Sequence, residues 1–115
     1  MVAGDEDIGP PFVVLEELIM SIKVVADNWV RAEAVDDFIA VTKELIEQTH
    51  ANDSGCLSYG LYRDTADPLH LTVLEEWADE PSLGIHVASP HFLRLIPALE
   101  AAAAKPGVIT VYEEV

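Results

Sequence analysis

Basic side chains are scarce in this sequence. Six Lys and Arg stand against 21 Asp and Glu, a formal net charge of -15 over 115 residues. Such a surface repels phosphate backbones and anionic headgroups, which argues against nucleic-acid and membrane partners. Cysteine is nearly absent too. Cys56 stands alone, so no intrachain disulfide can form and a cysteine-based zinc site is excluded. No apolar run approaches the ~20 residues of a membrane-spanning helix. The first residues carry Asp5, Glu6 and Asp7 and no basic side chain, the reverse of a secretory n-region, and the expected compartment is the cytoplasm. What is abundant is apolar surface: 50% of the residues are hydrophobic. For one domain of this length, that predicts apolar area buried twice, on folding and against a partner.

Residues 1–17 read as an acidic, flexible leader that runs through Gly9-Pro10-Pro11, and residues 18–115 as the folded domain. The β-branched run Ile19–Ala26 predicts a strand that ends at Asp27-Asn28. A helix follows over Val30–His50. Val35, Phe38, Ile39, Thr42, Leu45, Ile46 and Thr49 recur at spacings of three and four, one apolar stripe. Asn52-Asp53-Ser54-Gly55 stops it. Cys56–Tyr62 predicts a second strand, with Leu57, Tyr59 and Leu61 on one face and Cys56, Ser58, Gly60 and Tyr62 on the other. After a turn over Asp64–Pro68, Leu69–Trp77 forms a third strand whose Leu69, Leu71, Val73, Glu75 and Trp77 share a face. Glu80–Val87 reads as a short helix, and Ser89-Pro90 opens another that runs to about Ala104. Lys105-Pro106-Gly107 ends it, and Val108–Tyr112 is the fourth strand. The order β-α-β-β-α-β is the ferredoxin-like α+β pattern. Helices cover one face of such a sheet, and strands apolar on both faces predict a homodimer joined through the open one.

Across residues 19–113 the chain resembles the antibiotic biosynthesis monooxygenase family, which includes quinol monooxygenases. The resemblance rests on an ordered set of words: Gly55-Cys56-Leu57-Ser58-Tyr59, Arg63-Asp64, Asp67-Pro68, Glu75-x-Trp77, His86 and Ser89-Pro90-His91-Phe92. It implies a dimeric α+β barrel with a pocket between sheet and helices. For some members it also implies oxygenation of phenolic or quinol substrates with no metal or other cofactor, because the deprotonated substrate itself reduces dioxygen. Such chemistry needs a base, a dry pocket and donors for the anion.

Histidines titrate near neutral pH, and His86 and His91 are the candidates for base or anion partner. Their spacing of five, with Pro90 between, does not place them on one face of a regular helix. Glu75 is the expected orienter of a histidine. Trp77, Tyr59 and Phe92 are the expected pocket wall. Asn28 joins them as a polar pocket residue, since it stands where haem-degrading relatives contact their ligand. Two further features of those relatives are missing here, with His86 in place of an expected tryptophan and Leu95-Ile96-Pro97 where a histidine belongs, so haem degradation is not expected. No ligand spacing points to a metal. Three functions are compatible with this set: a cofactor-independent monooxygenase, an isomerase or other proton-transfer enzyme on a small carbonyl compound, and a non-catalytic ligand-binding dimer.

Overall fold

The computed structural model describes residues 21–115; the leader and the domain boundary at 17/18 lie outside them. Four strands and three helices follow in order: β1 (Ile22–Val30), α1 (Val35–Asn52), β2 (Cys56–Asp64), β3 (Asp67–Trp77), α2 (Glu80–Val87), α3 (Pro90–Ala101) and β4 (Ala103–Glu113). A short 3-10 turn, Ala32–Ala34, leads into α1. The strands form one antiparallel sheet in the order β2-β3-β1-β4. This is the expected ferredoxin-like α+β architecture, with the connection between β3 and β4 split into two helices.

Alternation decides which side of the sheet the helices cover. Ile22, Val24 and Val30 of β1 and Leu71, Val73, Glu75 and Trp77 of β3 are buried together. Helix α1 buries Phe38, Thr42, Leu45 and Thr49, the centre of the apolar stripe. Two apolar clusters result. One gathers Tyr59, Leu45, Val73 and Leu95 around Trp77; the other gathers Val30, Ala34, Phe38 and Ala102 around Leu71. Trp77 has no exposed surface, and an indole so buried removes roughly 150–250 Å² from water. His86 packs against the first cluster, its ring centroid 4.6 Å from that of Trp77.

Four local expectations are corrected. Asp27-Asn28 does not end β1: Asp27 pairs with Thr72 and Asn28 with Leu71 inside the ladder, and Asn28 Nδ2 donates to the Ala26 carbonyl. Lys105-Pro106-Gly107 lies within β4 rather than before it. From Asp27↔Val108 to Trp29↔Lys105, β4 uses three steps to β1's two. The extra residue is a bulge on an edge strand, a place where proline is tolerated. Gly107 eases the close approach there, since a Cβ would lie 3.0 Å from the Asp27 carbonyl oxygen. The β2–β3 turn shrinks to two residues, since Asp64 and Asp67 carboxylates accept from the Ala66 and Leu69 amides. Finally, β2 carries an extra residue near Leu57. Cys56 pairs with Trp77 and Ser58 with Glu76, so Cys56 turns to the same side as Tyr59 instead of the opposite one.

Candidate functional site

Helix α2 starts on Asp79, whose side chain accepts the Ser82 amide at 2.8 Å. It ends at Ala88 after two turns. Ser89 then caps α3 through the Phe92 amide while its hydroxyl donates to the His86 carbonyl oxygen. This tight junction folds His86 and His91 toward each other, their ring centroids 6.1 Å apart. The break that keeps the two histidines off one helical face is therefore what brings them together.

They meet on Asp53, the residue that closes α1. His86 Nδ1 lies 2.7 Å and His91 Nε2 2.9 Å from the same oxygen, Asp53 Oδ2. All three side chains are nearly buried, with 1%, 9% and 5% of the His86, His91 and Asp53 surface exposed. A carboxylate at this position only accepts, so each ring nitrogen facing it carries its proton. Neutral His86 is then the Nδ1–H tautomer, with a lone pair on Nε2. Among the described residues, that atom is buried without a hydrogen-bond partner. The ring is surrounded by aromatic faces and edges, Trp77 at 4.6 Å, Phe92 at 5.0 Å and Tyr59 at 5.2 Å between centroids. Burial lowers the His86 pKa, and the hydrogen bond to Asp53 opposes it in part. A neutral histidine oriented by a buried carboxylate, its free nitrogen in an apolar wall, is equipped to take a proton.

Glu75 is not the carboxylate on a histidine. It accepts the Trp77 indole N–H at 2.8 Å, while Asp53 orients both imidazoles. Burial pushes Glu75 up to about 7, the indole hydrogen bond pulling the other way. Burial first, then the Glu75 charge, raises Tyr59 far above the ordinary phenol range and keeps it a neutral hydroxyl. Trp77, Tyr59 and Phe92 stand together around His86. Asn28 does not join them. It faces the helices, but it pairs with Leu71 where the site lies near the Ile22↔Trp77 pair, roughly 20 Å along the strand at ~3.3 Å per residue.

Asp53 was legible in the sequence only as part of a helix stop, because a C-terminal Asp after Asn52 looks like turn chemistry. Donor atoms of Asp53, His86 and His91 lie within 4.8 Å of one another, a set of a kind that divalent transition ions accept. In this structure the carboxylate already satisfies both ring N–H groups. A surface groove bordered by Gln48, Asn52, Ser89, Pro90 and Arg94 reaches Asp53 and His91 from outside. His70, the remaining histidine of β3, sits on the opposite face of the sheet. Among the described residues, no helix is long and apolar enough to cross a membrane.

Comparison with known proteins places these residues in context. A family model described as antibiotic biosynthesis monooxygenase matches residues 21–98, a span that contains Asp53, Glu75, Trp77, His86 and His91. The chain is 31% identical over 90 residues to "Putative monooxygenase Rv0793" of Mycobacterium tuberculosis, covering 78% of this chain and 87% of that protein. The crystal structure of a conserved protein from Methanosarcina mazei superposes with a TM-score of 0.84 at 39% identity, over 88% of this chain and 99% of that one. A crystal structure of an antibiotic biosynthesis monooxygenase gives 0.77 at 36% identity, over 82% and 98% of the two chains.

Proposed function

The chain belongs to the antibiotic biosynthesis monooxygenase family, and from that premise we propose that it oxygenates a small quinol or polyphenol with dioxygen and without a resident cofactor. Membership and the monooxygenase relative support the general activity. One observation carries the finer reading: the buried, unpartnered Nε2 of His86, held by Asp53 and walled by Trp77, Tyr59 and Phe92. In this reading His86 takes the phenolic proton of the substrate, and the aromatic walls stack on its ring. The phenolate passes one electron to dioxygen, and the resulting radical pair combines to a hydroperoxide. Loss of water leaves a hydroxyquinone, so that one hydroquinone and one O2 yield one hydroxyquinone and one H2O. His91 donates to the second lone-pair direction of Asp53 Oδ2 and fixes the carboxylate that fixes His86.

The working unit in this reading is a cytoplasmic homodimer joined through the open sheet face. Tyr62, Leu74, Val108 and Tyr112 are exposed and project there by strand register. A second copy would cover them. The same His86–Asp53 pair also suits an isomerase that moves a proton on a carbonyl compound. Oxygen uptake separates the two.

The test is oxygen consumption by metal-stripped protein with a panel of hydroquinones and polyphenols. Uptake above autoxidation is expected, falling about 10²–10⁴-fold in His86→Gln and Asp53→Asn, the usual weight of a positioned base. Unchanged turnover in both variants removes the assignment of His86; absence of uptake with every substrate moves the chemistry to proton transfer.

A further inference from the structure

The open face of the sheet carries a second, separate cluster. His70 Nε2 lies 2.8 Å from Asp27 Oδ1 of β1, and His70 Nδ1 lies 2.9 Å from Asp64 Oδ2 at the end of β2. Thr72 donates to the same Asp27 oxygen. The His70 ring stacks on Trp29, 4.8 Å between centroids and 4° from parallel. From β4, Lys105 Nζ stands 4.3 Å over the Trp29 ring. A neutral imidazole has one N–H, and two carboxylates cannot both accept from it. The geometry therefore calls for an imidazolium, with both nitrogens donating. Asp64 first and Asp27 second raise the His70 pKa for the same reason.

The charges facing His70 are thus Asp27 from β1, Asp64 from β2 and, through Trp29, Lys105 from β4. With His70 protonated, two anions meet two cations and the cluster is neutral. Once the proton is lost, the cluster carries one net negative charge. On a chain whose formal net charge is -15, this neutral island shares the open face with the exposed apolar side chains of Tyr62, Leu74, Val108 and Tyr112. Balanced charges of both signs let a face meet its own copy without net repulsion, a condition that a two-fold contact imposes.

We propose that the Asp27–His70–Asp64 clamp makes the pairing of this chain with a second copy depend on pH, the dimer being tightest while the clamp is protonated. The proposal rests on the dimer reading above and adds its regulation. As pH rises through the titration of His70, each copy contributes an uncompensated carboxylate to the shared face. Like charges in a forming interface oppose association.

Sedimentation velocity from pH 6 to pH 9, run beside NMR titration of the histidine rings, tests this. The wild-type dimer constant is expected to weaken about tenfold or more over that range, the weight of about one pH unit of linkage. The change should follow the His70 resonance, whose titration the two carboxylates raise above its ordinary value. His70→Gln, unable to carry charge, should bind weakly at every pH, and His70→Arg, always charged and able to reach two carboxylates, should bind tightly at every pH. A dimer constant that stays level while His70 titrates overturns the proposal and leaves the dimer standing. A monomer at every pH and concentration overturns both, and oxygen uptake then reports separately on the catalytic reading.

Discussion

Replacing Glu75 with glutamine isolates what burial does to one carboxyl group. The residue is 9% exposed on the helix-covered side of β3, and its pKa rises from an ordinary 4.5 to about 7. Each pH unit between folded and unfolded values is worth about 1.4 kcal/mol. Ionising Glu75 in the folded chain therefore costs about 3 kcal/mol more than in the unfolded chain. The sign follows from proton binding. Between 4.5 and about 7 the folded state holds the proton more tightly, so this group's contribution to stability falls as pH rises and is level outside that window. The amide of Glu75→Gln keeps an oxygen for the Trp77 indole N–H and has no proton to lose. Urea unfolding of both proteins from pH 4 to pH 8.5 at fixed ionic strength reads the difference, with the general acidity of the chain common to both. The variant should gain about 3 kcal/mol relative to wild type across the window. Parallel curves would show that Glu75 is already solvated when folded, and the reasoning fails.

Other consequences are as direct. Gly55→Ala should cost about 1–3 kcal/mol, the range of overpacking, because its Cβ would lie 2.1 Å from Ser82 Oγ at the start of α2. Since α2 carries His86, oxygen uptake should fall with it; full activity would show that α2 moves independently. Thr42 is fully buried with a hydroxyl that has no partner among the described residues, so Thr42→Val should leave stability unchanged or raise it by up to about 1 kcal/mol, measured by urea midpoint. A loss of 2 kcal/mol or more would reveal a hydrogen bond to that hydroxyl. Burial lowers the His86 pKa below its ordinary 6.5. The acid limb of kcat/KM should therefore fall below that value, and a limb above it would assign the base elsewhere.

The fold was legible because its signals are redundant. Every strand has its β-branched or alternating run, and the α1 stripe from Val35 to Thr49 repeats through four turns. The misreadings cluster where tertiary pairing outweighs local propensity. Asp27-Asn28 looks like a turn, yet β3 and β4 flank it and take its backbone groups. Pro106-Gly107 looks like a terminator, and an edge strand accommodates it as a bulge. The extra residue near Leu57 leaves no trace in an alternating pattern, so alternation alone puts Cys56 on the wrong side. At the site, the rings of Trp77, Tyr59 and Phe92 meet that of His86. Their partner carboxylate did not follow from sequence, because Glu75 shares a strand face with Trp77 and seemed the natural choice. Asp53 is brought to the histidines by the docking of α1's end against the α2–α3 junction, a contact 33 and 38 residues away in the chain.

The inward turn of Cys56 has a use outside catalysis. It places the chain's single thiol in the layer beneath the helices, half-buried beside the Trp77 cluster. Burial, with the nearby Asp53 and Glu75 charges, pushes that thiol up to about 11, so alkylating reagents meet almost no thiolate while the helices stay seated. The rate at which a maleimide or iodoacetamide consumes the protein then becomes a clock for the opening of the helix layer over the site. Such a clock needs no engineered label, and a ligand that holds the layer shut would slow it.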